Sequence, residues 1–265
     1  MKDLKVILLG SGTSDGVPLI GCNCPVCLSP ESRNKRKRTS LWLHNHDQSI
    51  SILFDCGPDF REQALGFGIK RLDGVFITHT HWDHIAGLND LRPLAKDNGI
   101  KGRDNPIPIM VLEEHAADLI NMFPYIFKEL PQLGGGIPSL QLQIIDIQQG
   151  FKIKDIQINP IIVKHGQIDV LGFRFLDIGY LTDVNFVSQE SKFKLQGLRC
   201  LFLDALRFKE HPTHFNLDQA LSLSSELNPL KTILVHTTHD LDYLQVNQSL
   251  PSGVELGYDG LVIKI

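Results

Sequence analysis

The stretch Thr78-His79-Thr80-His81-Trp82-Asp83-His84 sets three imidazoles and a carboxylate within seven residues, directly after the apolar run Val75-Phe76-Ile77. Neutral imidazole nitrogen suits zinc, iron and related transition metals, and a carboxylate adds charge that helps hold a second ion. A regular strand or helix cannot bring His81, Asp83 and His84 onto a single ion, whereas a tight turn with a metal on either side uses all of them. A second cluster, Cys22-Asn23-Cys24-Pro25-Val26-Cys27, places three thiols in six residues of a turn-rich loop between Gly21 and Pro30. Three thiols cannot all pair with one another and are poor core material. They suit a tetrahedral zinc knuckle that needs one further ligand.

The elements that must position these groups alternate short β runs with helical stretches. Strands are expected over residues 5–9, 40–44, 49–55, 74–78, 107–112, 140–147, 153–163, 170–176, 198–204, 232–236 and 260–265. Helices are expected over 58–66, 84–97, 113–122, 216–227 and 240–248. Short consecutive strands with helices interspersed point to an α+β arrangement of two packed sheets flanked by helices. No low-complexity linker, repeat or shift of composition divides residues 1–265, so one domain is expected, with the cysteine loop at 21–28 as an appendage.

The 265 residues, 42% apolar and 21% charged, describe an ordinary soluble globule with a substantial core. A net charge of −4 argues against bulk affinity for nucleic acid or membrane surfaces. Val6-Ile7-Leu8-Leu9 is too short for a signal-peptide core or a membrane span and reads as a first strand. Five cysteines, three of them clustered, fit a reducing cytoplasm better than a disulfide scaffold. Cys56 and Cys200 lie in apolar strand contexts and read as buried and inert, while His44, His46 and His115 default to the surface.

The H-x-H-x-D-H pattern resembles the metallo-β-lactamase superfamily, and that resemblance implies an αββα sandwich of two mixed β-sheets flanked by helices, with metals in a groove at one sheet edge. It also implies three downstream ligands, and His165, Asp183 and His236 each follow a short apolar run. Carried over, His79, His81 and His165 hold one divalent metal, Asp83, His84 and His236 hold the other, and Asp183 bridges them. Nitrogen and oxygen ligands accept Zn or Mn, and Fe or Ni as well. Asp55, after Ile52-Leu53-Phe54, reads either as the N-cap of the following helix or, by the resemblance, as a carboxylate that orients a ligand histidine. Asp204, after Leu201-Phe202-Leu203, either orients a ligand or forms a turn.

His239, carried just beyond His236 in His236-Thr237-Thr238-His239, is the natural fourth ligand for Cys22, Cys24 and Cys27 in a structural zinc site. That loop, preceded by Gly10-Ser11-Gly12-Thr13-Ser14-Asp15-Gly16-Val17-Pro18, is similar to the phosphoribosyl cyclic phosphate phosphodiesterase (PhnP) branch of the superfamily. The branch implies hydrolysis of a small, possibly cyclic, phosphodiester by a hydroxide shared between two metals, with Asp83 and Asp183 serving catalysis as well as ligation. It also implies a histidine near residue 214 acting on the phosphate. His214 precedes the helix expected at 216–227, and His211 is its reserve. Two further substrate classes share the ligands: RNA, as in tRNA 3′-processing nucleases, and thioesters, as in glyoxalase-type hydrolases. The run Arg33-Asn34-Lys35-Arg36-Lys37-Arg38 reads as a solvated face, an RNA contact or a device for steering anions, and Gly134-Gly135-Gly136-Ile137-Pro138 as a short loop. Small phosphodiesters rank ahead of RNA and then thioesters; the family alone points to a homodimer.

Overall fold

The computed structural model describes residues 3–95, 106–128 and 136–265. They fall into two compact units, each built on one seven-stranded mixed sheet. The first unit comprises Met1–Leu9, Ser40–Asp146 and Val262–Ile265; the second comprises Gly10–Thr39 and Ile147–Leu261.

In the first unit the strands are β1 (Lys5–Gly10), β2 (Ser40–His44), β3 (Ser51–Phe54), β4 (Gly74–Phe76), β5 (Ile107–Val111) and β6 (Leu140–Ile144). The C-terminal strand of this sheet pairs antiparallel with β1, β2 pairs antiparallel with β3, and β3 to β6 run parallel. The central parallel strands β3 and β4 are buried from end to end, and their uninterrupted apolar runs are what such strands require. Leu53, Val75, Ile77 and Ile109 pack with Phe60, Leu88, Leu91 and Leu119 from the helical segments of this unit. Full burial of one such side chain is worth about 1.5–3 kcal/mol.

The second unit holds β7 (Phe151–Ile153), β8 (Ile156–His165), β9 (Ile168–Phe175), β10 (Ile178–Leu181), β11 (Cys200–Asp204), β12 (Lys231–Val235) and β13 (Val254–Leu256), in that order across the sheet; β14 (Val262–Lys264) is the C-terminal strand of the first. Strands β7 to β10 are antiparallel and β10 to β13 parallel. The helix Leu217–Leu227 buries Leu217, Ala220, Leu223 and Leu227, a three-to-four-residue stripe, among Leu201, Leu203 and Leu234. Asn216 and Gln219 close its first turn reciprocally as a capping box.

The expected pair of mixed sheets with flanking helices is therefore present. The strand expected at 153–163 is a hairpin turning at Lys154, which holds a left-handed φ of 52°. Strands β10 and β13 fall outside the expected set. The helix expected at 84–97 is broken into Trp82–Ile85, a 3₁₀ segment Ala86–Leu91 and Arg92–Ala95, and its last two residues lie outside the described ones. Residues 134 and 135 of the glycine loop also lie outside them. His115 is buried and His44 stacks on Trp42 at 3.7 Å, so only His46 takes the expected surface position. Cys56 and Cys200 are buried as expected; burial pushes the Cys200 thiol up to about 12 and raises the Cys56 thiol well above its ordinary value. No helix among the described residues is long and apolar enough to cross a membrane.

Candidate metal centres

In the first unit, the parallel pairing of β3 with β4 puts Asp55 and Thr78 at neighbouring C-terminal strand ends, the edge at which open α/β sheets carry their ligands. The Asp55 amide donates to the Phe76 carbonyl at 2.9 Å, and its own φ is 60°, a left-handed value that Asp tolerates better than most residues. This turn aims the fully buried carboxylate back at the strand beside it. Its Oδ1 accepts from the Thr78 amide at 2.9 Å and the Thr78 hydroxyl at 3.0 Å, while Oδ2 lies 2.9 Å from Nδ1 of His84. The Thr78 hydroxyl spends its proton on Asp55, so it accepts from Nδ1 of His79, 3.0 Å away. One carboxylate therefore fixes two imidazoles, one directly and one through a hydroxyl. Both rings are left with Nε2 as the lone-pair nitrogen, the tautomer that a metal needs.

His81 is exposed and caps the short helix Trp82–Ile85; its ring centroid lies 4.4 Å from that of His79, which is itself 4.4 Å from that of His84. Asp83 Oδ2 lies 3.1 Å from Nε2 of His84. All four residues of the sequence motif thus gather at one strand end. Trp82, inside the motif, is 65% exposed. The N-cap position of the helix that follows β3 is Asp59, which makes no side-chain cap bond, and not Asp55, whose carboxylate is engaged by Thr78 and His84, so of the two readings of Asp55 the orienting one holds.

In the second unit, β10, β11 and β12 run parallel and deliver Asp183, Asp204 and His236 at or just past their C-terminal ends. β8 runs in the same direction, since it is antiparallel to β9 and β9 to β10, and ends in His165. His165 Nδ1 lies 2.7 Å from the Thr213 carbonyl. Asp204 Oδ2 takes the Val184 amide at 2.9 Å and sits 2.8 Å from Nδ1 of His214; its Oδ1 lies 4.0 Å from Nδ1 of His236. Asp183 Oδ2 is 3.3 Å from Nε2 of His236 and 3.8 Å from Nε2 of His214. Asp183 and His236 both hold left-handed φ values, 52° and 57°. Such backbone is uncommon for residues with a Cβ and clusters at functional sites.

His214 therefore belongs to this cluster: it is buried, its ring lies 4.5 Å from that of His165, and it stacks on His236 at 4.9 Å. His211 is only half-buried and is engaged by Thr213 at 3.2 Å, with its basicity lowered chiefly by burial. Asp204, for which the sequence left two readings, orients His214. The Thr213 carbonyl that fixes His165 has no signature in the sequence, because any residue supplies a carbonyl.

The cysteine loop lies in the second unit with His239. Ligand atoms of Cys22, Cys24, Cys27 and His239 all lie within 4.8 Å of one another, a spread that tetrahedral zinc with bonds of about 2.0–2.3 Å spans. His239 Nδ1 is 3.4 Å from Cys22 Sγ and 3.2 Å from Cys24 Sγ. The Cys24 thiol is drawn down to about 6, first by the Cys27 amide and then by His239, whereas burial pushes Cys27 up to about 11. The donor set fits the knuckle expected from the spacing.

Most of the neighbouring basic run is tied to this framework. Arg33 pairs with Glu31 at 2.7 Å and stacks over Tyr243, Lys35 donates to the Cys27 carbonyl, Arg36 is 2% exposed and Arg38 donates to the Ser14 carbonyl. The reading of this run as a solvated face is corrected for Arg36: its guanidinium is enclosed by carbonyl and side-chain oxygens from residues more than 200 positions away.

Residues 51–237 match the family described as Beta-lactamase superfamily domain. The crystal structure of a diphosphatase from the PhnP family is similar over 99% of this chain and 98% of its own, with a TM-score of 0.90 and 37% identity. An octanoyltransferase of Porphyromonas gingivalis is 36% identical over 261 residues, which is 97% of this chain and 51% of that protein. A ribonuclease Z of Gemmatimonas aurantiaca is 25% identical over 131 residues, 48% of this chain and 38% of that protein. The chain spans about half the length, or less, of these curated relatives.

Proposed function

Because the chain belongs to the metallo-β-lactamase superfamily of metal-dependent hydrolases, we propose that it hydrolyses a phosphoric ester or anhydride bond in a small substrate, with a phosphodiester as the first candidate. The ligand set is the one the family resemblance assigns: His79, His81 and His165 for one ion, Asp83, His84 and His236 for the other, and Asp183 shared. The donor chemistry supports it, since carboxylate, hydroxyl and carbonyl groups hold Nδ1 of His84, His79 and His165 and so fix the direction in which each ring presents Nε2, that of His84 lying 3.1 Å from Asp83 Oδ2. Bound divalent ions supply Lewis acidity there, lowering the pKa of water and offsetting negative charge on phosphoryl oxygens.

The observation that carries the phosphate reading is His214. Asp204 holds its Nδ1, so the ring is fixed with Nε2 turned toward Asp183, 3.8 Å away. A proton on that nitrogen serves either to stabilise a phosphoryl oxygen or to protonate the departing oxygen. Hydrolysis of a thioester gives such a fixed donor a smaller task. The similarity to a PhnP-family diphosphatase supports the same substrate class. RNA ranks lower because much of the basic run is engaged within the fold. A cytoplasmic homodimer with zinc in the cysteine knuckle completes the proposal.

The test is hydrolysis of bis(p-nitrophenyl) phosphate and of a diphosphate ester by protein of measured metal content. His214→Ala should retain its metal and lose roughly a hundredfold or more in turnover. Unchanged turnover in that variant removes His214 from the mechanism, and metal-loaded protein inert on both substrates sinks the phosphate reading. A second reading draws on the octanoyltransferase likeness, although that relative is about twice as long. Faster cleavage of an octanoyl thioester than of either phosphate substrate would favour it.

A further inference from the structure

We propose that Arg36 is a positioning residue that couples the cysteine knuckle to His236, so that zinc in the knuckle tightens the hold of His236 on its metal. The inference rests on the ligand roles proposed above for His236 and His239. These two residues are three positions apart on one segment, and Arg36 grips that segment between and beyond them. Its Nη1 donates to Thr237 Oγ1 at 2.9 Å and to the Thr238 carbonyl at 2.8 Å; its Nη2 donates to the Leu241 carbonyl and, at 3.0 Å, to Asn34 Oδ1. Asn34 Oδ1 in turn accepts the Tyr243 amide at 2.9 Å.

The other end of the arginine is anchored to the loop that leads into the knuckle. Its backbone exchanges two hydrogen bonds with Val17, at 2.7 and 2.9 Å, and Val17 packs with Val26 and Cys27. The segment 236–241 is tied to the same loop by the Thr237 amide on the Ser11 carbonyl and the Thr13 amide on the Thr237 carbonyl. A planar guanidinium satisfies several fixed acceptors at once; a lysine ammonium lacks the fork to span them. Burying this cation among neutral oxygens is costly enough to draw its pKa down to about 10. A well-packed apolar residue would serve stability as well or better. What only the fork supplies is one fixed geometry for the turn in which His236 holds its left-handed φ of 57° and His239 faces Cys22 and Cys24.

The test is a double-mutant cycle on zinc affinity, with Cys24→Ser to remove the knuckle metal and Arg36→Met to remove the fork. Zinc bound at the histidine-containing centre is measured by competition with a chromophoric chelator, and the knuckle is followed through its thiolate-to-cobalt charge-transfer band. In the native background Cys24→Ser should weaken zinc at the histidine centre by about tenfold, or ~1.4 kcal/mol. In the Arg36→Met background the same change should have no further effect, and Arg36→Lys should behave like Arg36→Met despite its charge. Should Arg36→Met fail to fold, Thr237→Val, which deletes one acceptor and leaves the arginine, should reduce the coupling in the same direction. Equal effects of Cys24→Ser in both backgrounds, or restoration by lysine, overturn the proposal while leaving the hydrolase reading intact. A native protein that binds zinc only at the knuckle overturns both.

Discussion

Replacing Asp55 with asparagine changes one atom of the carboxylate and none of its shape, yet it leaves the site without a workable hydrogen-bond arrangement. The native carboxylate offers only acceptors: Oδ1 to the Thr78 amide and hydroxyl at 2.9 and 3.0 Å, and Oδ2 to His84 Nδ1 at 2.9 Å. Asparagine has one acceptor end and one donor end. With its amide nitrogen facing Thr78, two backbone and side-chain donors meet in a fully buried position, at a cost of about 1–3 kcal/mol. With the nitrogen facing His84, Nδ1 must accept, the proton moves to Nε2, and the ring can no longer ligate. The first arrangement also takes from the Thr78 hydroxyl the acceptor on which its relay to His79 depends. Loss of such an orienting partner lowers metal affinity by roughly 10–100-fold, or about 1.4–2.7 kcal/mol. Chelator-stripped native and Asp55→Asn proteins should differ by that factor in a zinc competition titration, with matching far-ultraviolet circular dichroism. A variant that folds and binds zinc within about twofold of the native affinity would refute the tautomer argument.

Gly87→Ala tests the packing beneath the same turn. A Cβ there would lie 2.2 Å from the Gly57 carbonyl and 2.8 Å from Phe60 Cβ, and a backbone carbonyl cannot rotate away. Overpacking of this kind costs about 1–3 kcal/mol, here toward the upper end, so Tm should fall by roughly 5–10 °C, and an unchanged melt refutes the tight approach. Asp259 supplies a pH dependence: burial raises its carboxyl from 3.8 to about 6, although it accepts from Ser11 and the Lys37 amide. The folded state holds this proton more tightly than the unfolded chain, so the contribution is complete below about pH 4 and is lost as pH rises through about 6. The stability of native protein minus that of Asp259→Asn should therefore drop by up to ~3 kcal/mol from about pH 4 to about pH 7 in urea titrations. A flat difference contradicts the assignment.

That the histidine-rich motif forms one cluster was legible because its residues are neighbours in sequence, and that Cys22, Cys24 and Cys27 gather with His239 because thiols have few other uses at that spacing. Asp55 and Asp204 were harder: a carboxylate after a strand reads equally well as a cap, a turn or a partner, and its actual bond goes to a residue 29 positions away in one case and 10 in the other. The helix 113–122 and the strand 40–44 were expected with their observed bounds, since each has one strong pattern between clear breaks. Strand β10 was missed because Gly179 weakens its propensity; a Cβ there would sit 2.7 Å from Leu198 Cδ1 and 3.0 Å from Leu201 Cδ1, contacts no local pattern reveals. The hairpin within 153–163 was missed because Lys154 takes a left-handed φ without the glycine or asparagine that advertises a turn. Arg36 was misread for a related reason. A run of basic residues is scored by charge, whereas its place in the fold depends on carbonyls supplied from the far end of the chain.

The left-handed backbone at Asp55, Asp183 and His236 also constrains how such a centre drifts over generations. A substitution there must satisfy the turn before it satisfies the chemistry, and asparagine, aspartate, histidine and glycine meet the turn most cheaply. Drift at 236 that preserves folding therefore passes through asparagine or glycine, removing the imidazole while keeping the chain path. Copies of this protein that have given up hydrolysis for another task should carry that signature, with histidine replaced by a turn-tolerant residue rather than by an apolar one. A valine or isoleucine at 236 would instead add about 1–3 kcal/mol of backbone strain to the loss of the imidazole.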